Sequence, residues 1–108
     1  MQFNITFITA ALLASASMAM SATIVGFAGA DCTGAQVFSS GASSRECLTL
    51  GSASVKSISY SGVPSSIQFY VSGGGHDACT NGSSLTRGAG SGCATAPAGF
   101  NWESVGVF

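Results

Sequence analysis

From residue 22 onward, apolar and polar positions alternate in short bursts separated by Gly, Ser and Asn. The period is that of half-buried strands, and no sustained helical period is present. ATIVGF (22–27), AQVF (35–38) and ECLTL (46–50) read as the first three strands. SVKSISY (54–60) sets Val55, Ser57 and Ser59 on one side and Lys56, Ile58 and Tyr60 on the other. GVPSS (62–66) reads as a turn around Pro64, and SIQFYVS (66–72) is the strongest strand signal. GGGHDACTNG (73–82) is expected to be a loop and SSLTR (83–87) a weak strand. GAGSGCATAPAG (88–99) is expected to be a long connection, and WESVGVF (102–108) a closing strand. Many short strands divided by turn signals predict an all-β sandwich or barrel.

The segment before residue 22 has a different pattern. MQFNITFITAALLASASMAMSA carries an apolar run from Ile5 to Ala14 followed by small residues. It reads as a secretory signal, cut after Ala19, or after Ser21 on the second small-x-small match. Only the amino terminus supplies positive charge there. A membrane anchor would want about 20 apolar residues, and this run is shorter and interrupted by Ser and Thr. The expected organisation is therefore a signal at 1–19 and one domain at 20–108.

Composition narrows the class. The 108 residues include 15 Gly, yet 46% are hydrophobic and 6% charged, which does not favour disorder. The net charge is −1, and Arg45, Lys56 and Arg87 are isolated from one another along the sequence. Neither nucleic acid nor an anionic membrane surface finds a basic stripe to bind. Four cysteines, Cys32, Cys47, Cys79 and Cys93, follow the leader. An even number in a small exported domain reads as two disulfides, with three pairings open. Zinc is the weaker reading, because no CxxC pair occurs and His76 is the only histidine.

The chain also repeats itself, over about 22–60 and 66–108. Each half has an aromatic (Phe27; Phe69 and Tyr70), a cysteine soon followed by Gly (Cys32 and Gly34; Cys79 and Gly82), a second cysteine and a Ser-Val strand. FAGADCTGAQVF thereby resembles the first half of a βγ-crystallin Greek-key motif, in which an aromatic precedes a positive-φ glycine that folds the first hairpin over the sheet. Phe27 and Gly34 match those positions. The motif's closing Ser, which ties down the hairpin, matches Ser54 in SVKSI and Ser104 in SVGVF. The second copy departs, with a longer interval from Tyr70 to Gly82. The resemblance implies a disulfide-stapled β-sandwich of two Greek-key-like repeats. It favours each cysteine pair closing within its own motif, Cys32–Cys47 and Cys79–Cys93, so that a crossed pairing would count against the repeat. Family members that bind calcium carry paired Asn/Asp. TLGSAS (49–54) and GFNWES (99–104) lack the pair, leaving Asp31 or Asp77 as weak carboxylates. No metal or cofactor is expected.

The remaining chemistry is sparse. His76 beside Asp77 lacks a nucleophile elbow, so a surface histidine is favoured over a catalytic one. Asp31, Glu46, Asp77 and Glu103 are the only carboxylates for a glycosidase pair, but Asp31 and Asp77 precede the first cysteine of each half and read more simply as turn residues. Asn81 in NGS is a glycosylation sequon, whereas NIT at Asn4 falls inside the signal. Trp102, Phe100 and Tyr60 fit core better than a sugar-stacking platform. The loop around His76, Asp77 and Arg87 is the expected binding loop, with Arg87 a trypsin-type anchor.

The composition resembles that of small secreted cysteine-rich fungal proteins, and the repeat resembles killer-toxin members of the crystallin-like group. The resemblance implies a non-enzymatic extracellular effector or antimicrobial toxin with a target on a host or competitor cell. The alternative is a protease inhibitor or cell-wall glycan binder.

Overall fold

In the computed structural model of the chain, the described residues are 22–50, 53–73, 75 and 78–108. The leader, Asn4, His76 and Asp77 therefore lie outside them. Six strands follow in order: β1 (Ala22–Phe27), β2 (Gln36–Ala42), β3 (Glu46–Thr49), β4 (Ser57–Val71), β5 (Leu85–Thr95) and β6 (Trp102–Val107). A 3-10 turn at Ala30–Cys32 is the only helical element among the described residues, and none is long and apolar enough to cross a membrane.

All neighbouring strands are antiparallel and form two layers. In the first, β2 pairs β1, β1 pairs the start of β4 (57–61), and that half of β4 pairs the end of β5. In the second, β3 pairs β6, β6 pairs the end of β4 (67–71), and that half of β4 pairs the start of β5. The long strands β4 and β5 thus run through both layers. Their pairing shifts register around Val63, which pairs Gly90. Gly62 (φ 71°) and Gly90 (φ 108°) take the left-handed backbone that such a bulge requires. Pro64 is tolerated here because a bulge leaves its missing N–H unneeded. The C-terminal residue seals the bulge: Phe108 O accepts from Ser65 N and Ser66 N, and Phe108 N donates to Ser66 O.

The result is a β-sandwich of two Greek-key-like repeats. The β1 pairing Phe27↔Ser57 has its counterpart in Tyr70↔Ser104. The first repeat is β1, β2, β3 and the first half of β4; the second is the rest of β4, the two halves of β5, and β6. The third strand of each repeat lies in the other repeat's layer. β3 pairs β6, and the end of β5 pairs the start of β4.

That exchange corrects the expected disulfides. The bonds are Cys32–Cys93 and Cys47–Cys79, not Cys32–Cys47 and Cys79–Cys93. Cys32 and Cys79 lie on the connections that follow the first strand of each repeat, while Cys47 and Cys93 lie on the exchanged third strands. A third strand sits beside the other repeat's connection, so each bond must cross. The crossed pairing is therefore the signature of the repeat and does not count against it. Each bond closes a long loop, with separations of 61 and 32 residues. On a chain-entropy account each contributes about 4 kcal/mol.

Two further expectations change. Residues 62–65 are not a turn but the middle of β4, and residues 88–95 are not a connection but part of β5. Glycine lowers intrinsic strand preference, yet β4 pairs six of the eight residues from 88 to 95, and tertiary pairing overrides propensity.

Ile24, Ile58, Ile67, Phe69, Val55, Val105 and Val107 are fully buried between the layers. Burying a side chain of this size contributes about 1.5–3 kcal/mol. Phe69 packs centrally, its ring 5.7 Å from Tyr60 and 5.2 Å from Trp102. The Trp102 indole donates to Ala94 O at 3.0 Å, which satisfies its one buried donor. Tyr60 lies across its strand partner Gly92, where a Cβ would stand 2.6 Å from the phenol oxygen. We expect Gly92→Ala to lower stability by about 1–3 kcal/mol in urea unfolding, because Tyr60 is packed and cannot swing away. Adding Tyr60→Phe, which removes the nearest atom, should restore part of the loss. No loss in Gly92→Ala would show that the ring is free to move.

Candidate binding surface

Two connections follow the first strands, 28–35 and 72–84, the second described at 72, 73, 75 and 78–84. The first folds back on itself through Ala28 N to Ala35 O (2.9 Å), Gly29 N to Thr33 O (3.0 Å) and Thr33 N to Ala30 O (3.2 Å). Asp31 and Cys32 both take left-handed backbone, φ 56° and 57°. Few residues other than Gly adopt it without cost, so the segment needs outside support. Ser57 gives it. The Ser57 hydroxyl donates to Gly29 O (2.5 Å) and accepts from Cys32 N (2.8 Å). Gly34 matches its expected role, with φ 86°. Thr95 adds a latch: its Oγ1 accepts from Asp31 N at 2.9 Å and donates to the Asp31 carboxylate at 3.2 Å.

The second connection repeats the device. The Ser104 hydroxyl accepts from Cys79 N at 3.1 Å, over the same separation of 25 residues that divides Cys32 from Ser57. Cys79, Asn81 and Gly82 take left-handed backbone. Thr80 Oγ1 and Asn81 Nδ2 both donate to Gly75 O, at 3.0 and 2.8 Å. Ser57 and Ser104 are the buried polar residues of the described chain, and both are fully enclosed.

The tie in the first repeat is thus Ser57, not Ser54. Ser54 is exposed and lies ahead of β4. The Ser-Val pair that matched in SVKSI and SVGVF misled by one short step. The equal cysteine-to-serine interval in both halves was the better signal.

The expected binding residues do not all share one loop. His76 and Asp77 lie outside the described residues. Asn81 is exposed on the second connection, its amide used in the Gly75 bond. Arg87 is in strand β5, opposite Ile67, and is exposed at that edge. A strand position does not give the convex loop expected for an inhibitor anchor. Asp31 sits on the first connection, Glu46 opens β3 and Glu103 lies on β6. Among the described residues no three His, Cys, Asp or Glu side chains group as a metal site. Trp102 and Tyr60 are core, and Phe100 is exposed at the 97–100 turn that Lys56 Nζ caps through Pro97 O and Phe100 O.

Comparison with protein-family models, with curated proteins and with solved structures returned no match.

Removing either serine hydroxyl leaves a half-buried N–H without its acceptor. Ser57→Ala and Ser104→Ala are each expected to cost about 1–3 kcal/mol in chemical unfolding. They should also speed hydrogen exchange at Cys32 N or Cys79 N respectively. Ser54→Ala, at an exposed site, should shift stability by less than about 0.5 kcal/mol. Equal effects of all three would discard the tie.

Proposed function

We propose that the protein is a non-enzymatic, secreted effector or antimicrobial, killer-type toxin of fungal kind, which acts by recognising a surface outside the cell. The observation that carries this reading is the crossing of the two disulfides between interlocked repeats. Disulfides of this kind are compatible with an oxidising, extracellular setting. They tie Cys32 in the first connection and Cys79 in the second to strands of the sheet, beside backbone that departs from the regular regions. Rigid, preorganised loops lose little entropy on binding, which suits recognition by shape. The signal reading of residues 1–19 and the resemblance to βγ-crystallin repeats support the same view. With Ser57 as the tie, the stretch aligned with the family's calcium motif becomes SASVKS (52–57), which also lacks paired Asn or Asp.

The alternative is a protease inhibitor or a cell-wall glycan binder. The exposed Arg87 favours the first of these, presented from an edge strand and not from a loop. Arg87→Ala would abolish inhibition of a trypsin-like protease if that reading held.

The deciding assay applies oxidised protein and a reduced, alkylated control to plant leaf tissue, yeast and bacteria, scoring cell death and growth. Harm from the oxidised form alone is the expected result. Equal inactivity of both forms on all three would remove direct toxicity and leave the binding-module reading.

A further inference from the structure

The two repeats act as an internal control for one another at their sheet edges. In the second layer an inward-facing row runs Glu46, Val107, Ile67, Arg87 from edge to edge. Val107 and Ile67 are buried, while Glu46 and Arg87 are exposed on the outermost strands. Charged residues on the core-facing side of edge strands oppose the docking of another strand. The equivalent row of the first layer runs Ser40, Ile24, Tyr60, Gly92. Its two ends carry no charge.

Of the first layer's two edges, the β5 side is the less suited to pairing. Cys93 there is bonded to Cys32, Thr95 is latched to Asp31, and the glycine-rich stretch shifts register at Gly90. β2 carries no disulfide and no latch of that kind. It pairs β1 in unbroken register from Ala42 to Phe38, with one irregularity at Val37, and has no charge or proline from Gln36 to Ala42. Val37 is an exposed large apolar residue at 37%. Alternate residues of an edge strand turn N–H and C=O groups away from the sheet, where they match another strand's in antiparallel register.

We propose that β2 is the contact between two copies of this chain, paired antiparallel about a twofold axis to join their first layers into one sheet. A second copy is the occupant because the edge is self-complementary in its backbone groups. With no charge along β2, no like charges meet between the paired strands across such an axis. The proposal is independent of the functional reading above.

The test is sedimentation velocity of the oxidised protein from about 1 µM to about 1 mM, a range that spans weak and firm association. A dimer is expected within it. Ser39→Lys places a lysine on β2 and, by symmetry, two across the axis; it should weaken the dimer about tenfold or more. Ser61→Lys, exposed on the interior strand β4, should leave it intact. Hydrogen exchange should slow at 37–41 as concentration rises. Circular dichroism and thermal melts establish that each variant is folded. Glu46→Ser with Arg87→Ser uncovers the second layer's edges and should give assemblies larger than a dimer. A wild-type monomer throughout the range overturns the proposal, and so does a dimer that Ser39→Lys leaves unchanged. No added association in the Glu46/Arg87 variant would remove the contrast on which it rests.

Discussion

Two buried hydroxyl groups hold the architecture in place. Ser57 and Ser104 project from the outer faces of their layers, where a strand residue would ordinarily meet water. Each is instead covered by a connection that folds down onto it and takes up its hydrogen bonding. The connections contain non-glycine residues in left-handed conformation, which the chain would not hold unaided. Once held, they carry Cys32 and Cys79 over the neighbouring exchanged strands. The disulfides then become geometrically available. The order of dependence runs from a serine hydroxyl, to a folded connection, to a cross-link between repeats.

Strand exchange makes that cross-link consequential. Neither repeat completes its own layer, since β3 lies against β6 and the end of β5 against the start of β4. The core is likewise shared, with Phe69 of the second repeat packed between Tyr60 of the first and Trp102 of the second. A domain this small buries a limited share of its surface, and its hydrophobic core alone leaves a narrow margin. The crossed bonds restrict the unfolded chain over most of its length. Short bonds within each repeat would have restricted two separate segments and left the layers free to part.

Much of this was legible in the residues, and the failures have physical causes. β1 was readable to its ends at Ala22 and Phe27 because its burial alternates cleanly. The all-β class and the twofold repeat followed from strand spacing and cysteine order. The second half of β5 was illegible because its pairing belongs to β4: GAGSG has no preference of its own, and glycine is needed there so that Tyr60 can lie across Gly92. The disulfides were misassigned because spacing along the chain is blind to which layer receives the third strand. Ser54 was preferred to Ser57 because a local Ser-Val match outweighed the longer-range interval to the cysteine. Arg87 was placed in a loop for the same reason that β5 was shortened. The exposed chemistry was harder to read than the fold, since few charged groups mark the surface.

The repeats agree where the fold constrains them and differ where solvent does. Ile24 and Ile67 occupy equivalent core positions, as do the serine ties and the cysteines. The edges do not match: Arg87 and Glu46 stand where the first layer has Ser40 and Gly92. The connections differ too, the second being longer. Packing fixes Gly92, which Tyr60 covers, but it requires none of the others, which sit at the rim or outside the sheet. A duplicated architecture therefore leaves two kinds of surface that its core does not specify, an uncharged strand edge in one layer and a longer pinned loop on the other. Recognition of the proposed kind has room to reside in differences that stability does not demand, and in this chain those differences divide between the two layers.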